Sequence, residues 1–445
     1  MLSFVAPLIA YLLSFPVMLV TLFRVEIGLL FFITLVPIIA AMQKLAAFPQ
    51  GRNLPDFLLI SMTLGWVLTA QKEGRKVFES SPINAAVVLL ILASIINLVR
   101  GYTFMELPSD VNLIRLMTWK NYMILPLIYF IARNNLRTEK NVKWVIMCIS
   151  LTMLVTVYSF YSTFRWLRVE HYSDSIRISG TFSFLGPNEM GIFYAMYTFL
   201  LLGISYFIED KKLKYFVLFV CACNFYPLLY SFSRAGYTCA IAGILTLGIL
   251  KDRRLLIVLF ALLILYRVIL PTAVVERIDM TFLDNTEINE TQEQSSAVDV
   301  GGVTVDTVGR KELWERAKEY FYEHPLLGIG FDTFRHREGM ITHSFFLKIL
   351  AEQGLIGVLV FLIFIGCALS QSYKLFRHST TALGRGIGCG FFTCVVVHLT
   401  GGITGDQSLY YNLMAIYWLF LGIVATFNMN FLSKTGPPNL TKPIT

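Results

Sequence analysis

Apolar residues arrive in blocks of about 16 to 22, the length of helix that crosses roughly 30 Å of hydrocarbon. Within a block the polar positions keep neither the alternation of a half-buried strand nor a narrow helical stripe, as in "AAVVLLILASIINLV" and "LLIVLFALLILYRVIL". The pattern predicts helical spans near residues 4–22, 26–42, 56–70, 84–99, 121–132, 143–163, 187–208, 213–231, 235–250, 254–270, 350–371, 386–404 and 411–429. The first two flank a tight turn at Arg24 and Glu26, and "MTWKNYMILPLIYFIA" is interrupted by Lys120 and Pro126. The expected fold is therefore all-α and polytopic, with about 12 transmembrane helices.

Composition agrees. The 445 residues are 56% hydrophobic and only 15% charged, against roughly a quarter charged in a soluble domain. The lipid bilayer is the expected surrounding. Short loops rich in Lys and Arg, "QKEGRK", "RNNLRTEKNVK", "EDKKLK", "KDRR" and "YKLFRHSTTALGR", fall between alternate spans and belong on the cytoplasmic side. They account for most of the net charge of +8, so no nucleic-acid partner is expected. The N-terminus lacks a cleavage-site pattern, and no removed signal peptide is expected. All seven cysteines lie in predicted spans, which implies no disulfide framework.

The longest loop, about 271–349, then faces out. Its first part, residues 276–308, is acidic and poor in aromatics, a composition that predicts a mobile insert. "GRKELWERAKEYFYEHPLLGIG" turns amphipathic, with Leu313, Trp314, Ala317, Tyr320 and Phe321 at helical spacing. Pro325, Gly328 and Gly330 then break regular structure. The segment divides the chain into N-terminal helices (1–175), central helices (176–270), the large loop (271–349) and C-terminal helices with a cytoplasmic tail (350–445).

Thr342, His343 and Ser344 stand where the next helix begins, and Thr or Ser suits its N-cap. A histidine beside the positive end of a helix is held neutral, the form that accepts a proton. An interfacial histidine anchoring a helix end is the plainer account. Arg234 sits between two apolar spans at their outer turn, in "LLYSFSRAGYTCAIAG", and Arg310 opens the amphipathic helix. Charge at such positions is costly and marks function or a snorkelling anchor. Guanidinium forks match phosphate oxygens. Two arginines and a neutral histidine on one outer face suit a diphosphate-linked lipid donor and an acceptor hydroxyl.

Three stretches, "SFSRAG", "GRKELWERAKEYFYEHPLLGIGFDTF" and "THSFFLKILAEQGLIGVLVFLIFIG", together with "RISGTFSFLGPNEMGIF", resemble the O-antigen ligase and O-antigen polymerase superfamily of bacterial envelope proteins. The resemblance covers roughly residues 176–372; the N-terminal third matches only as a hydrophobic pattern. It implies a metal-independent glycosyltransferase, without cofactor, in the bacterial inner membrane with its active site facing the periplasm. The implied partners are an undecaprenyl-diphosphate-linked glycan donor and an acceptor glycan or lipid A core. Arg234 and Arg310 match the family arginines expected to hold the diphosphate, and His343 the histidine expected to activate the acceptor. Ser344 stands where Asn often follows that histidine. The chain carries no Asp-x-Asp, Gly-x-x-x-x-Gly-Lys or His-Glu-x-x-His motif, and arginine-based stabilisation of the leaving group is the matching chemistry.

Arg335, Arg337, Asp406 and Gln407 are candidate substrate contacts, the last two beside Tyr410 and Tyr411. A solvated basic loop is the plainer account of Arg335 and Arg337. Glu106 and Asp110 are weaker carboxylate candidates, and His398 reads as a packed histidine. The favoured reading is a ligase joining glycan to lipid A core; a polymerase that extends the glycan on its carrier shares the same site and differs in its acceptor, and the sequence does not separate the two. A secondary transporter is less consistent with polar residues gathered on one face.

Overall fold

The computed structural model describes residues 2–38, 43–104, 107–167, 169–182, 186–280 and 309–431. Among them the architecture is all-helical, with no β-strand. The helices are α1 (Leu2–Thr21), α2 (Val25–Leu35), α3 (Leu54–Lys72), α4 (Pro82–Phe104), α5 (Ser109–Asn135), α6 (Glu139–Phe164), α7 (Pro187–Ser205), α8 (Lys211–Tyr230), α9 (Arg234–Leu250), α10 (Arg254–Ile269), α11 (Thr272–Asp279), α12 (Gly309–Glu323), α13 (Phe334–Glu338), α14 (Phe345–His378), α15 (Ala382–Gly402) and α16 (Tyr411–Asn430). Among the described residues seven of these, α3, α4, α6, α8, α14, α15 and α16, are long and apolar enough to cross a membrane, while α1, α2 and α9 are apolar but shorter. Fewer helices meet that standard than the expected twelve, because α2 is short and several others carry polar or charged residues. α10 turns through 113° into α11, so residues 276–279, expected in the mobile insert, end a helix instead. The rest of that insert lies outside the described residues.

Short polar side chains set where the helices start. Thr138 accepts from the amide of Asn141, Asp210 from Lys212, Ser233 from Gly236 and Thr381 from Gly384, at 2.9–3.2 Å; such caps are each worth about 1 kcal/mol. The expected cytoplasmic loops gather at one end. Arg75 reaches the carbonyl of Asn134 at 3.1 Å, Arg133 pairs with Glu79 at 3.1 Å, the Thr380 amide donates to Phe431 at 2.8 Å, and Lys251 lies 4.4 Å over the Phe207 ring.

α7 and α16 are enclosed by the other helices along nearly their whole length. Glycines let α15 approach α7 closely: a Cβ on Gly203 would stand 2.5 Å from the Gly390 Cα, and one on Gly390 would stand 2.3 Å from the Leu200 carbonyl. This is the small-residue packing expected where lipid removes the hydrophobic drive for helices to associate. Gly191 of α7 meets Ser233 and Gly236 at the start of α9 in the same way.

α14 is broken at Gly354, whose φ of 61° and ψ of −160° exclude other residues. The groups released by the break are taken up by the chain that precedes α14. Leu355 and Ile356 donate to the carbonyls of Pro325 and Leu326 at 2.8 and 3.2 Å, and Ile329 and Gly330 donate to those of Ala351 and Glu352 at 2.9 and 2.8 Å. Arg100 and Arg115 clasp the same segment from α4 and α5 through the carbonyls of Gly328 and Phe331, at 2.5 and 2.8 Å. Irregular backbone at this depth is tolerated because protein satisfies it.

Candidate functional site

The end of the bundle opposite the basic loops collects the start of α5, α7, α9, α14 and α16, and so their positive dipole ends. Arg234 is exposed at the first position of α9. Two more arginines join it. The Arg177 Nη2 donates to Asn188 Oδ1 at 2.9 Å, and Ser233 Oγ donates to the same oxygen at 3.1 Å. The Arg277 Nε donates to the Phe232 carbonyl at 3.2 Å, and its guanidinium lies 4.7 Å over the Tyr172 ring. Phe232 adopts a left-handed φ of 49°, which turns its carbonyl away from the helix path. Arg177 and Arg234 both repel Arg277. Among the described residues the set forms one ion pair, between Arg177 and the mostly exposed Asp174 at 3.9 Å. Three cations held together with so little compensation suit an anion with several oxygens.

Beside Tyr172, His171 Nδ1 and Glu276 Oε1 stand 2.6 Å apart, and the Tyr172 amide donates to Glu276 Oε2 at 2.7 Å. The bond to Glu276 raises the His171 pKa above the ordinary imidazole value and lowers that of Glu276. The pair ties the loop before α7 to α11.

His343 lies half-buried two residues before α14, with a left-handed φ of 52°. Such a conformation costs about 1–3 kcal/mol unless neighbours dictate it. Here they do. Trp314 Nε1 of α12 donates to the Thr342 carbonyl at 2.9 Å, Thr342 Oγ1 donates to the Ser344 carbonyl at 2.8 Å, and the Phe345 amide donates to Gly405 at 3.0 Å. Ser344 occupies the N-cap position, but its side chain makes no cap hydrogen bond; the expected capping is replaced by the turn at Thr342. The backbone of Arg310 lies in the first turn of α12, one turn before Trp314; its side chain lies outside the described residues. α12 is the amphipathic helix expected, burying Leu313 and Ala317 against Ile329, Phe334 and Ala351.

Behind this segment a buried charge network joins α14 to two loops. Lys348 Nζ lies 2.8 Å from Asp406 Oδ2 and 3.8 Å from Asp332 Oδ1, and Arg335 Nη2 lies 2.8 Å from Asp332 Oδ2. Glu352 accepts from the amides of Asp332 and Phe334 at 2.9 and 3.1 Å. Burial raises the Asp406 pKa, with Lys348 opposing, and burial lowers that of His336. The network borders a cavity of about 260 Å³ lined by Thr118, Asn121, Arg335, Ile341, Tyr410 and Asn412, among others.

The remaining candidates divide. Arg335 lines the cavity, and Asp406 supports it through Lys348. Gln407 is turned away as a partner of His398, its Nε2 lying 3.1 Å from the His398 carbonyl and 3.3 Å from Nδ1; His398 is packed, as expected. Arg337 is exposed and lies 5.9 Å from the Tyr320 ring. Asp110 is exposed in the first turn of α5, and Glu106 lies outside the described residues. Sequence reasoning missed Arg177, Arg277, Asp332 and Lys348. Their one signal is charge set within or against apolar runs. All seven cysteines are free, and among the described residues no group of three His, Cys, Asp or Glu is arranged to hold a metal ion.

No curated protein matches the chain. Residues 216–362 of this multi-pass membrane protein, which contain Arg234, Arg277, Arg310 and His343, match the family model described as O-antigen ligase.

Proposed function

We propose that the protein transfers a glycan from an undecaprenyl-diphosphate carrier to the hydroxyl of an acceptor sugar, at the periplasmic face of the bacterial inner membrane, in the manner of an O-antigen ligase. The observation that carries this reading is the set Arg177, Arg234 and Arg277, gathered at the start of α7 and α9 with one weak carboxylate partner, in a chain whose central part matches an O-antigen ligase model. We read the shorter α1, α2 and α9 and the more polar α5, α7 and α10 as further crossings, which with the seven long ones makes thirteen, one more than the twelve expected.

In this reading the acceptor hydroxyl gives its proton to the imidazole of His343 as its oxygen attacks the anomeric carbon of the donor glycan. The bond from that carbon to the diphosphate breaks, and the electron pair leaves with the carrier diphosphate. Arg234, with Arg177, Arg277 and Arg310, meets the charge that develops there; no metal is required. Fixed donors of this kind are worth about 3 kcal/mol each in the transition state, and a positioned base contributes roughly 10²–10⁴-fold. The strained backbone of His343 fixes where the base points.

The test is a reconstituted assay in nanodiscs with carrier-linked glycan, without added metal, offering lipid A core or carrier-linked glycan alone as acceptor. Product on lipid A core that His343→Asn and Arg234→Ala both abolish supports the ligase. Ladders on the carrier support the polymerase of the same superfamily. Absence of transfer to either acceptor refutes both.

A further inference from the structure

The cavity beneath α13 differs in kind from the arginine site. Arg335 and Lys348 bring two positive charges to it, and Asp332 and Asp406 bring two negative charges, all in direct contact. Glu352 adds a third carboxylate behind Asp332, and Arg115 faces both, so the cavity presents fixed polar groups without net charge. Around them stand the amides of Asn121 and Asn412, the hydroxyl of Thr118 and the rings of Tyr410 and Tyr411. Arg335 keeps a third of its side chain exposed, while Asp332 beneath it is 1% exposed, so the guanidinium offers donors at the cavity surface and the carboxylate holds it in place. A volume of about 260 Å³ is small for a recognition pocket, since drug-sized sites run to about 300–1,000 Å³, and it suits one ring. Aromatic walls with a few convergent donors and acceptors are what a polyhydroxylated ring requires; an anion would need uncompensated cations.

Position gives the cavity a role. Ile341 lines it, two residues from His343, a reach of about 7 Å along an extended chain. On the other side Tyr410 lies within electrostatic reach of Glu189, the neighbour of Asn188 in the arginine set. The geometry points to this cavity as the site that holds one neutral sugar ring of the acceptor, with its hydroxyl directed toward His343. The assignment of the ring to the acceptor rests on the transfer reading above; the binding of a neutral sugar does not.

The experiment uses the full chain in nanodiscs without carrier. Saturation-transfer NMR is recorded with the methyl α-glycosides of glucose, galactose and mannose as neutral probes, and with glucose 1-phosphate as the anionic one. At least one neutral glycoside is expected to bind saturably in the millimolar range. Leu409→Trp, which fills the cavity, and Asn121→Ala should each weaken that binding at least tenfold with the thermal midpoint preserved, whereas Arg234→Ala leaves it unchanged. Saturation by no neutral glycoside, equal or tighter binding of glucose 1-phosphate at the same site, or insensitivity to Leu409→Trp overturns the inference. In the transfer assay the same two variants should raise the acceptor KM tenfold or more and leave the donor KM within twofold. Transfer by the wild type with an unaltered acceptor KM in both variants sinks the acceptor role alone, while sugar binding without any transfer sinks the enzymatic reading and leaves the sugar site standing.

Discussion

Replacing Lys348 by Met removes the cation that Asp406 touches. Asp406 Oδ2 is bonded to Lys348 at 2.8 Å, Oδ1 has no hydrogen-bond partner among the described residues, and the residue is 1% exposed. Asp332 loses a charge at 3.8 Å but keeps Arg335 at 2.8 Å, so the stranded charge is that of Asp406. At an effective dielectric of about 20 the two lost attractions are each of order 4–6 kcal/mol. Relief of the ammonium's own desolvation offsets part of this, and the net cost of removing one partner from a buried pair is about 3–5 kcal/mol. Unfolding in mixed micelles, titrated with dodecyl sulfate, reads the difference. Asp406→Leu on the Lys348→Met background should recover more than half of it, since both charges are then gone and the volume is kept. A loss below about 1 kcal/mol for Lys348→Met, or a double variant that costs the sum of the singles, would show that the pair is not closed in the membrane-embedded protein.

Other outcomes follow from the same geometry. His343→Asn, which tolerates the left-handed backbone, should lower kcat by roughly 10²–10⁴ in the transfer assay with carrier binding retained; a drop below tenfold would remove the base. Arg277→Lys keeps the charge but loses the fork that bonds Phe232 and stacks on Tyr172, and a rise in donor KM of at least tenfold with unchanged acceptor KM is expected. The His171 pKa is raised and that of Glu276 lowered in the folded protein, so their link is complete from the ordinary carboxylate range up to about pH 6.5 and is lost as pH climbs past the raised His171 value. The protection of amides 170–176, taken relative to their intrinsic exchange rate at each pH, should fall across that window in the wild type and stay constant in His171→Gln. Gly354→Ala places a Cβ 2.6 Å from the Leu326 backbone in a conformation reserved for glycine. The expected cost is about 3 kcal/mol or more, seen as loss of folded protein in detergent; normal stability would mean that α14 runs unbroken.

The lipid-facing part of the fold was legible in the sequence because hydrocarbon selects on composition alone. α4, α6 and α14 stand where apolar blocks put them. α7 is enclosed by protein, and its "PNEMGIFYAMYT" start owes nothing to lipid. The candidate site was legible in part for a similar reason. Arg234 and His343 declare themselves by standing at the mouth of an apolar run, but Arg177 and Arg277 are 100 residues apart and meet through Asn188, the turned carbonyl of Phe232 and Tyr172. Lys348 stands two residues before the predicted span, in the first turn of α14, and nothing local marks it, because its partners Asp332 and Asp406 belong to loops on either side of it in sequence. Gln407 misled because its polarity serves His398, nine residues earlier and one helix end away.

The break at Gly354 bears on how the protein is made. A helix that enters a bilayer during synthesis must carry its own backbone hydrogen bonds, or meet partners on arrival. α14 cannot do the first, because its backbone on both sides of Gly354 is completed by residues 325–330. Those residues emerge from the ribosome earlier and stand on the face opposite the basic loops. In the orientation proposed above they are exported before α14 leaves the insertion machinery, and they dock onto it as it arrives. Export of one segment and release of the next become a single assembly step. Lengthening the chain between residues 331 and 341 should then slow maturation of the protein without altering the fold it reaches.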